Sequence, residues 1–226
     1  MNFSMSSLSD FITSRRSVSF FTKEAVSVEL IDELIELAGY APSSCNTQPW
    51  FFLVFHSESS RRRLAEYVQN GYDRTREKLL KEHNVLGGVY VKFLDFFSRY
   101  GKFDDAPVYI LLFAQPYDAP VFSQAIAFAR DRGIEKVAAD SVKTSTAMAM
   151  QNFLLLAHER GLGTRMKDGV KFLLNFEDLK NGLFDEFHIP RDFELVSGIQ
   201  LGHPSEQSLK RIPSKRRPFD EIRRIL

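Results

Sequence analysis

Between residues 26 and 39 the apolar positions Leu30, Ile31, Leu34, Ile35 and Leu37 or Ala38 return at helical spacing. Ser27 stands ready to cap that helix, Val26 and Ile31 occupy the hydrophobic-staple positions, and Gly39 marks its end. A short first helix is expected over residues 7–13, with Arg15 and Arg16 at or just past its end. Residues 50–55 switch to a continuous apolar run of the length expected for a strand buried on both faces. Residues 106–113 form a second such run, opened by Pro107, which needs no ladder donor, and pairing of the two is plausible.

Helical spacing returns in the charged stretch 61–82 and in 86–100, where Val89, Phe93, Phe96, Phe97 and Tyr100 form a stripe readable as core or as part of a substrate lid. The longest helix is expected over 135–158, with Val142, Ala149, Met150, Phe153, Leu154 and Ala157 apolar and Gly161 just beyond; it reads as the central buried helix. Asn175 is placed to cap a helix carrying Leu179, Leu183, Phe184 and Phe187 that Pro190 would stop. Residues 195–201 give a last core strand. The tail, 210–226, is basic, carries Pro213 and Pro218, and reads as an arm lying on a partner surface. Alternating helical runs and separated strands, with no internal repeat, argue for one α+β or α/β domain over 1–226.

Composition narrows what such a domain does. The chain has 226 residues, 44% of them hydrophobic, enough for one core burying roughly 70% of its unfolded surface. Thirty basic residues against 29 acidic ones give a net charge of +1, so no bulk field draws the protein to nucleic acid or anionic lipid. Any anion site must be local. The single cysteine, Cys45, excludes an intrachain disulfide framework, and no stretch approaches the length of a membrane span, so the expected compartment is the cytoplasm. Gly161-Leu162-Gly163 lacks the third glycine of a dinucleotide turn, the five histidines show no metal-ligand spacing, and there is no Walker loop or Gly-x-Ser-x-Gly elbow.

The candidate chemistry sits in three places. Residues 41–52 read Ala-Pro-Ser-Ser-Cys-Asn-Thr-Gln-Pro-Trp-Phe-Phe, a loop that combines stiff prolines with the short donors and acceptors of Ser43, Ser44, Asn46 and Gln48. Cys45 within it reads as a small packed side chain, since no histidine is near in sequence to activate it. Arg15-Arg16-Ser17 offers what a phosphate monoester requires, two guanidinium groups beside a hydroxyl, and equally fits a solvated helix end. Lys215-Arg216-Arg217 poses the same choice near the C-terminus, while Arg61-Arg62-Arg63 reads as a solvated face.

Taken together and in order, these pieces resemble the nitroreductase family, FMN-dependent enzymes that reduce nitro compounds, quinones and flavins. The resemblance covers most of the chain. It implies an α/β/α sandwich with a central, mostly antiparallel sheet, and a homodimer with two FMN molecules at the subunit interface. It assigns Arg15, Arg16, Ser17, Lys215 and Arg217 to the FMN phosphate and ribityl chain, and Pro42, Ser43, Ser44, Asn46 and Gln48 of the other subunit to the isoalloxazine. Asp168 and Gly169, following Met166-Lys167, look like the family's acidic-glycine turn beside flavin N5. Two departures stand out: Ser19 replaces the Arg or Lys of many members, and Asp168 the Glu of some. The implied reaction is ping-pong reduction of a small aromatic or quinone-like acceptor by NAD(P)H, with no catalytic acid or base assigned. Other flavin chemistry on the same fold (dehalogenation, flavin fragmentation, dehydrogenation) and a non-enzymatic nucleotide- or RNA-binding module are the alternatives. The segments 72–103 and 121–133 fall outside the matched motifs and are where a substrate pocket could be shaped.

Overall fold

The computed structural model describes residues 7–82, 89–92, 94–95, 105–116, 132–210 and 214–225. Four strands form one antiparallel sheet in the order β1-β2-β4-β3, with β1 at Trp50–Phe55, β2 at Val108–Ala114, β3 at Gly163–Met166 and β4 at Glu194–Gly202. The β1 and β2 runs pair as expected, from Trp50 opposite Ala114 to Phe55 opposite Tyr109.

Every residue of β2 is buried, because its two faces serve two different cores. Tyr109, Leu111 and Phe113 pack with α3 (Glu58–Glu82), the 3-10 helix Asp168–Asn175 and α5 (Glu177–Glu186). Val108, Ile110 and Leu112 pack with α2 (Val28–Ala38) and α4 (Arg132–Glu159). Period-two alternation along one strand thus builds helix layers on both sides, the α/β/α sandwich that the resemblance implies. α1 (Leu8–Ser14) lies against α4 outside this core. Among the described residues no helix is long and apolar enough to cross a membrane.

The local signals around α2 hold in detail. Ser27 Oγ accepts from the Leu30 amide at 3.2 Å, and Val26 and Ile31 are both buried. α4 ends in a Schellman turn, with Gly161 at φ 74°, its amide donating to the His158 carbonyl and the Leu162 amide to the Ala157 carbonyl.

Three expectations need correction. β3 went unread because Gly163–Met166 has no apolar run; it forms by pairing with β4, Gly163 opposite Gly202 through Met166 opposite Ile199. Asn175 does not cap α5 but closes the preceding 3-10 helix, and α5 starts after Phe176 without a side-chain cap, its first turn carrying Glu177 and Asp178 where the helix dipole favours negative charge. Pro190 does not stop α5 either. The helix ends at Glu186 in a Schellman turn: His188 takes φ 53°, and the Ile189 amide donates to the Phe184 carbonyl at 2.8 Å. Of the expected 86–100 helix, residues 89–92 and 94–95 are helical, with Val91 and Leu94 buried. Phe93, Phe96, Phe97 and Tyr100 lie outside the described residues, as do 117–131. The described tail, 214–225, is exposed throughout, with a short helix at Phe219–Ile222.

Candidate functional site

α1 ends at Ser14 and hands Arg15 and Arg16 to an extended segment that runs beside β3. Ser17 bridges Thr164, and the Val18 amide donates to the Thr164 carbonyl at 2.9 Å. This approach requires Gly163: a Cβ there would lie 2.5 Å from Val18 Cγ2. Ser19, the next residue toward the sheet, is buried.

The charge of the tail reaches this segment. Burial first, then the charges of Arg216 and Arg16, hold the Arg15 guanidinium below its ordinary pKa. Arg16 donates to the carbonyls of Thr13 and Arg15. Among the described residues none of Arg15, Arg16, Lys215, Arg216 and Arg217 makes an ion pair, whereas Arg62, Arg63, Arg74, Arg76, Arg160 and Arg191 all do. Arg15 and Arg16, two guanidinium groups beside the Ser17 hydroxyl and without a carboxylate partner among the described residues, are groups able to take a phosphate monoester. The tail residue whose charge acts on Arg15 is Arg216, which the sequence reading passed over in favour of its neighbours Lys215 and Arg217. The Arg61-Arg62-Arg63 run is a surface face of α3, Arg62 pairing with Glu58 at 2.8 Å.

The polar loop is tightly knit and strained. Cys45, Asn46 and Gln48 all take positive φ (51°, 54° and 45°) without being glycine, a conformation costing on the order of 1–3 kcal/mol per residue. Short bonds hold it: the Gln48 amide to Ser43 Oγ at 3.0 Å, Thr47 Oγ1 to the Ser44 carbonyl at 2.9 Å, and Gln48 Nε2 to Asn46 Oδ1 at 3.2 Å. The Ser44 amide reaches Ser145 Oγ of α4 at 3.3 Å. Pro42, Ser44, Asn46 and Gln48 are nonetheless exposed and Ser43 is half-buried; Cys45 is exposed too, not the packed side chain expected, because its left-handed backbone turns it out of the loop's interior.

Within one chain this loop and the Arg15-Arg16 segment stand apart. The loop touches α4 at Ser145, and Ser14, which precedes the segment, touches it at His158, whose Nε2 lies 2.9 Å from Ser14 Oγ. The thirteen residue steps of helix from one to the other span about 20 Å at about 1.5 Å per step.

The Asp168–Gly169 turn opens the 3-10 helix, where the first backbone amides have no acceptor within the helix. Gly169 packs against the Tyr72 hydroxyl so closely that a Cβ would lie 1.8 Å from Oη. Beneath the turn, Lys167 is buried; burial first and Arg165 second hold its amine down at about 7, with Asp105 pulling the other way. Burial likewise raises the Tyr72 phenol above its ordinary pKa. Lys167 lies within the Met166-Lys167-Asp168-Gly169 segment and is legible there as a charged residue beside the turn, whereas His158 and Tyr72 carry no sequence signal, since only folding brings them to these places.

An apolar groove of about 370 Å³ runs between α1, the end of α2 and α4, lined by Leu8, Phe11, Leu37, Tyr40, Leu155 and Leu156 among others. Leu8 and Tyr40 are 70% and 81% exposed, large apolar surface left uncovered in a single chain.

A model of the Nitroreductase family matches residues 12–203. YfhC of Bacillus subtilis strain 168, provisionally named an NAD(P)H nitroreductase, is 29% identical over 222 residues, covering 95% of this chain and 94% of that protein. Iodotyrosine deiodinase 1 of Rattus norvegicus is 30% identical over 106 residues, 47% of this chain and 36% of that protein. Among solved structures, a BluB-like flavoprotein from Clostridium difficile 630 shares the fold, with a TM-score of 0.79, 24% identity, and coverage of 97% of this chain and 99% of that one.

Proposed function

The chain belongs to the Nitroreductase family, and from that premise we propose that two copies hold FMN between them and use NAD(P)H to reduce small nitroaromatic or quinone-like acceptors. The observation that supports this reading is that Arg15 and Arg16 make no ion pair among the described residues while the charge of Arg216 in the tail acts on Arg15 as well. A flavin mononucleotide ends in a group those arginines are able to take, and the bound flavin would supply the hydride-accepting and hydride-donating chemistry.

The chain's own residues bind and orient. Arg15, Arg16, Ser17 and the tail cations Lys215, Arg216 and Arg217 would hold the phosphate. The amides of Asp168 and Gly169 offer donors to the ring, on a turn kept in place by the Lys167 amide donating to the Gly198 carbonyl at 2.8 Å. The strained loop, with Pro42, Ser43, Ser44, Asn46 and Gln48, would meet the ring from the second subunit. Its separation of about 20 Å from the Arg15-Arg16 segment within one chain supports sharing across an interface, and the exposed groove of α1, α2 and α4 supplies apolar surface for a symmetric contact. The exposed free thiol of Cys45 supports a reducing compartment such as the cytoplasm.

Steady-state rates with varied NAD(P)H at several acceptor concentrations test the reaction: parallel double-reciprocal lines are expected, because one pocket serves both substrates in turn. Intersecting lines would contradict it. A second reading, reductive dehalogenation, is favoured by the 30% identity to the deiodinase; turnover of a halophenol with none of a nitroaromatic or quinone would select it.

A further inference from the structure

His158 adjoins the Arg15-Arg16 segment through Ser14, yet nothing above gives it a part in holding the flavin. Ser14 Oγ lies 2.9 Å from its Nε2, and the Phe11 ring meets the imidazole edge-on with centroids 6.4 Å apart. The ring is half-buried where α4 ends. From the segment after α1, Arg15 and Arg16 are the charges that act on it, and both are positive. Arg216 of the tail acts in turn on Arg15. On its own helix the neighbouring charges are Glu159 and Arg160, which pair at 3.4 Å, Arg160 also reaching Glu33 of α2.

Two opposed effects meet at this ring. Burial and the two arginines push the imidazole below its ordinary pKa, while the negative end of the α4 dipole favours the protonated form. Such a group gains proton affinity when a dianion arrives beside it.

We propose that His158 is a proton-linked positioning residue of the phosphate site, holding Ser14 beside Arg15 and taking up one proton when a phosphate monoester dianion settles against Arg15 and Arg16. The identity of the monoester as FMN rests on the function proposed above; the proton uptake does not. A protonated imidazole donates from Nε2 to Ser14 Oγ, whose own hydroxyl then donates to the Phe11 carbonyl 3.3 Å away. Both ring states are therefore accommodated without moving a heavy atom.

Side-chain NMR of the histidines in wild-type apoprotein, followed against pH and assigned with His158→Gln, reads this directly. His158 should titrate below the ordinary value of about 6.5 and rise by a unit or more, a tenfold gain in proton affinity, with saturating FMN. Riboflavin, which lacks the phosphate, should leave it unmoved. Calorimetric titration with FMN near pH 7, in two buffers of different protonation enthalpy, should show proton uptake in the wild type and in His56→Gln but none in His158→Gln. A His158 that stays put while FMN binds overturns the proposal and leaves the flavin reading standing. A shift caused by inorganic phosphate in a protein that refuses FMN sustains the proposal and overturns the flavin reading. No shift with either ligand, in a protein that also refuses FMN, overturns both.

Discussion

The arginines of α3 and those near the two ends of the chain carry the same group in opposite fields. Arg62, Arg74 and Arg76 lie 2.8, 2.6 and 3.2 Å from Glu58, Asp178 and Asp95, and Arg63 is held by both Glu66 and Glu186. Hydrogen bonding to Glu186 leads the effects that raise Arg63 above its ordinary pKa, whereas burial and Arg216 lower Arg15. A cation with its counter-ion built in is electrostatically complete. One surrounded by other cations, and partly desolvated, leaves room for an anion from outside.

The comparison breaks most visibly at Arg15. Arg15→Ala should weaken FMN binding by on the order of 1.5–3 kcal/mol, roughly ten- to a hundredfold, since it removes a charge-assisted bond from a partly desolvated place. Flavin fluorescence quenching on apoprotein measures it, and an equal loss in Arg62→Ala would erase the distinction between the two groups. Gly163→Ala should cost about 1–3 kcal/mol of unfolding free energy in urea, because Val18 must give way and the segment carrying Arg15 moves with it.

Lys167 sharpens the contrast in the core. Its amine is held at about 7 in the folded protein against an ordinary 10.5, so between those values the unfolded chain binds more protons than the folded one. Stability from this group should therefore rise with pH across that window, by about 1–2 kcal/mol after allowing for partial solvent access, and Lys167→Met should flatten the rise; chemical denaturation at pH 7 and pH 10 compares them. The smallest effect belongs to the completed pairs. Arg62→Ala, with both partners at least 70% exposed, should change stability by no more than about 0.5 kcal/mol in the same denaturation assay.

How much of this was legible in the sequence depended on whether a signal was local. The β2 run, the Ser27 cap and the Gly161 stop are written into a few adjacent residues, and each forms as read, while β1 forms at its expected place but as an edge strand that is only partly buried rather than buried on both faces. β3 was not, since four residues without an apolar run become a strand only when β4 offers its edge. The end of α5 was misplaced for a related reason: Pro190 is a conspicuous stop, but His188 adopting a left-handed turn depends on Ile189 finding the core. At the candidate site, Arg15, Arg16 and Ser17 stood out as residue types, and the resemblance supplied their meaning. That Arg216 rather than a neighbour acts on Arg15, and that His158 joins them from the far end of a 28-residue helix, are facts of tertiary assembly.

Arg216 sits on a stretch whose described residues are all exposed, while every strand and both cores lie upstream of it. Retention of colour and integrity of fold are thereby decoupled. A protease that nicks the chain just before Lys215 would strip away one wall of the phosphate site yet leave the sandwich its full complement of buried side chains. Pale preparations of this protein would then report a trimmed tail rather than a damaged core, and intact-mass measurement would tell the two apart.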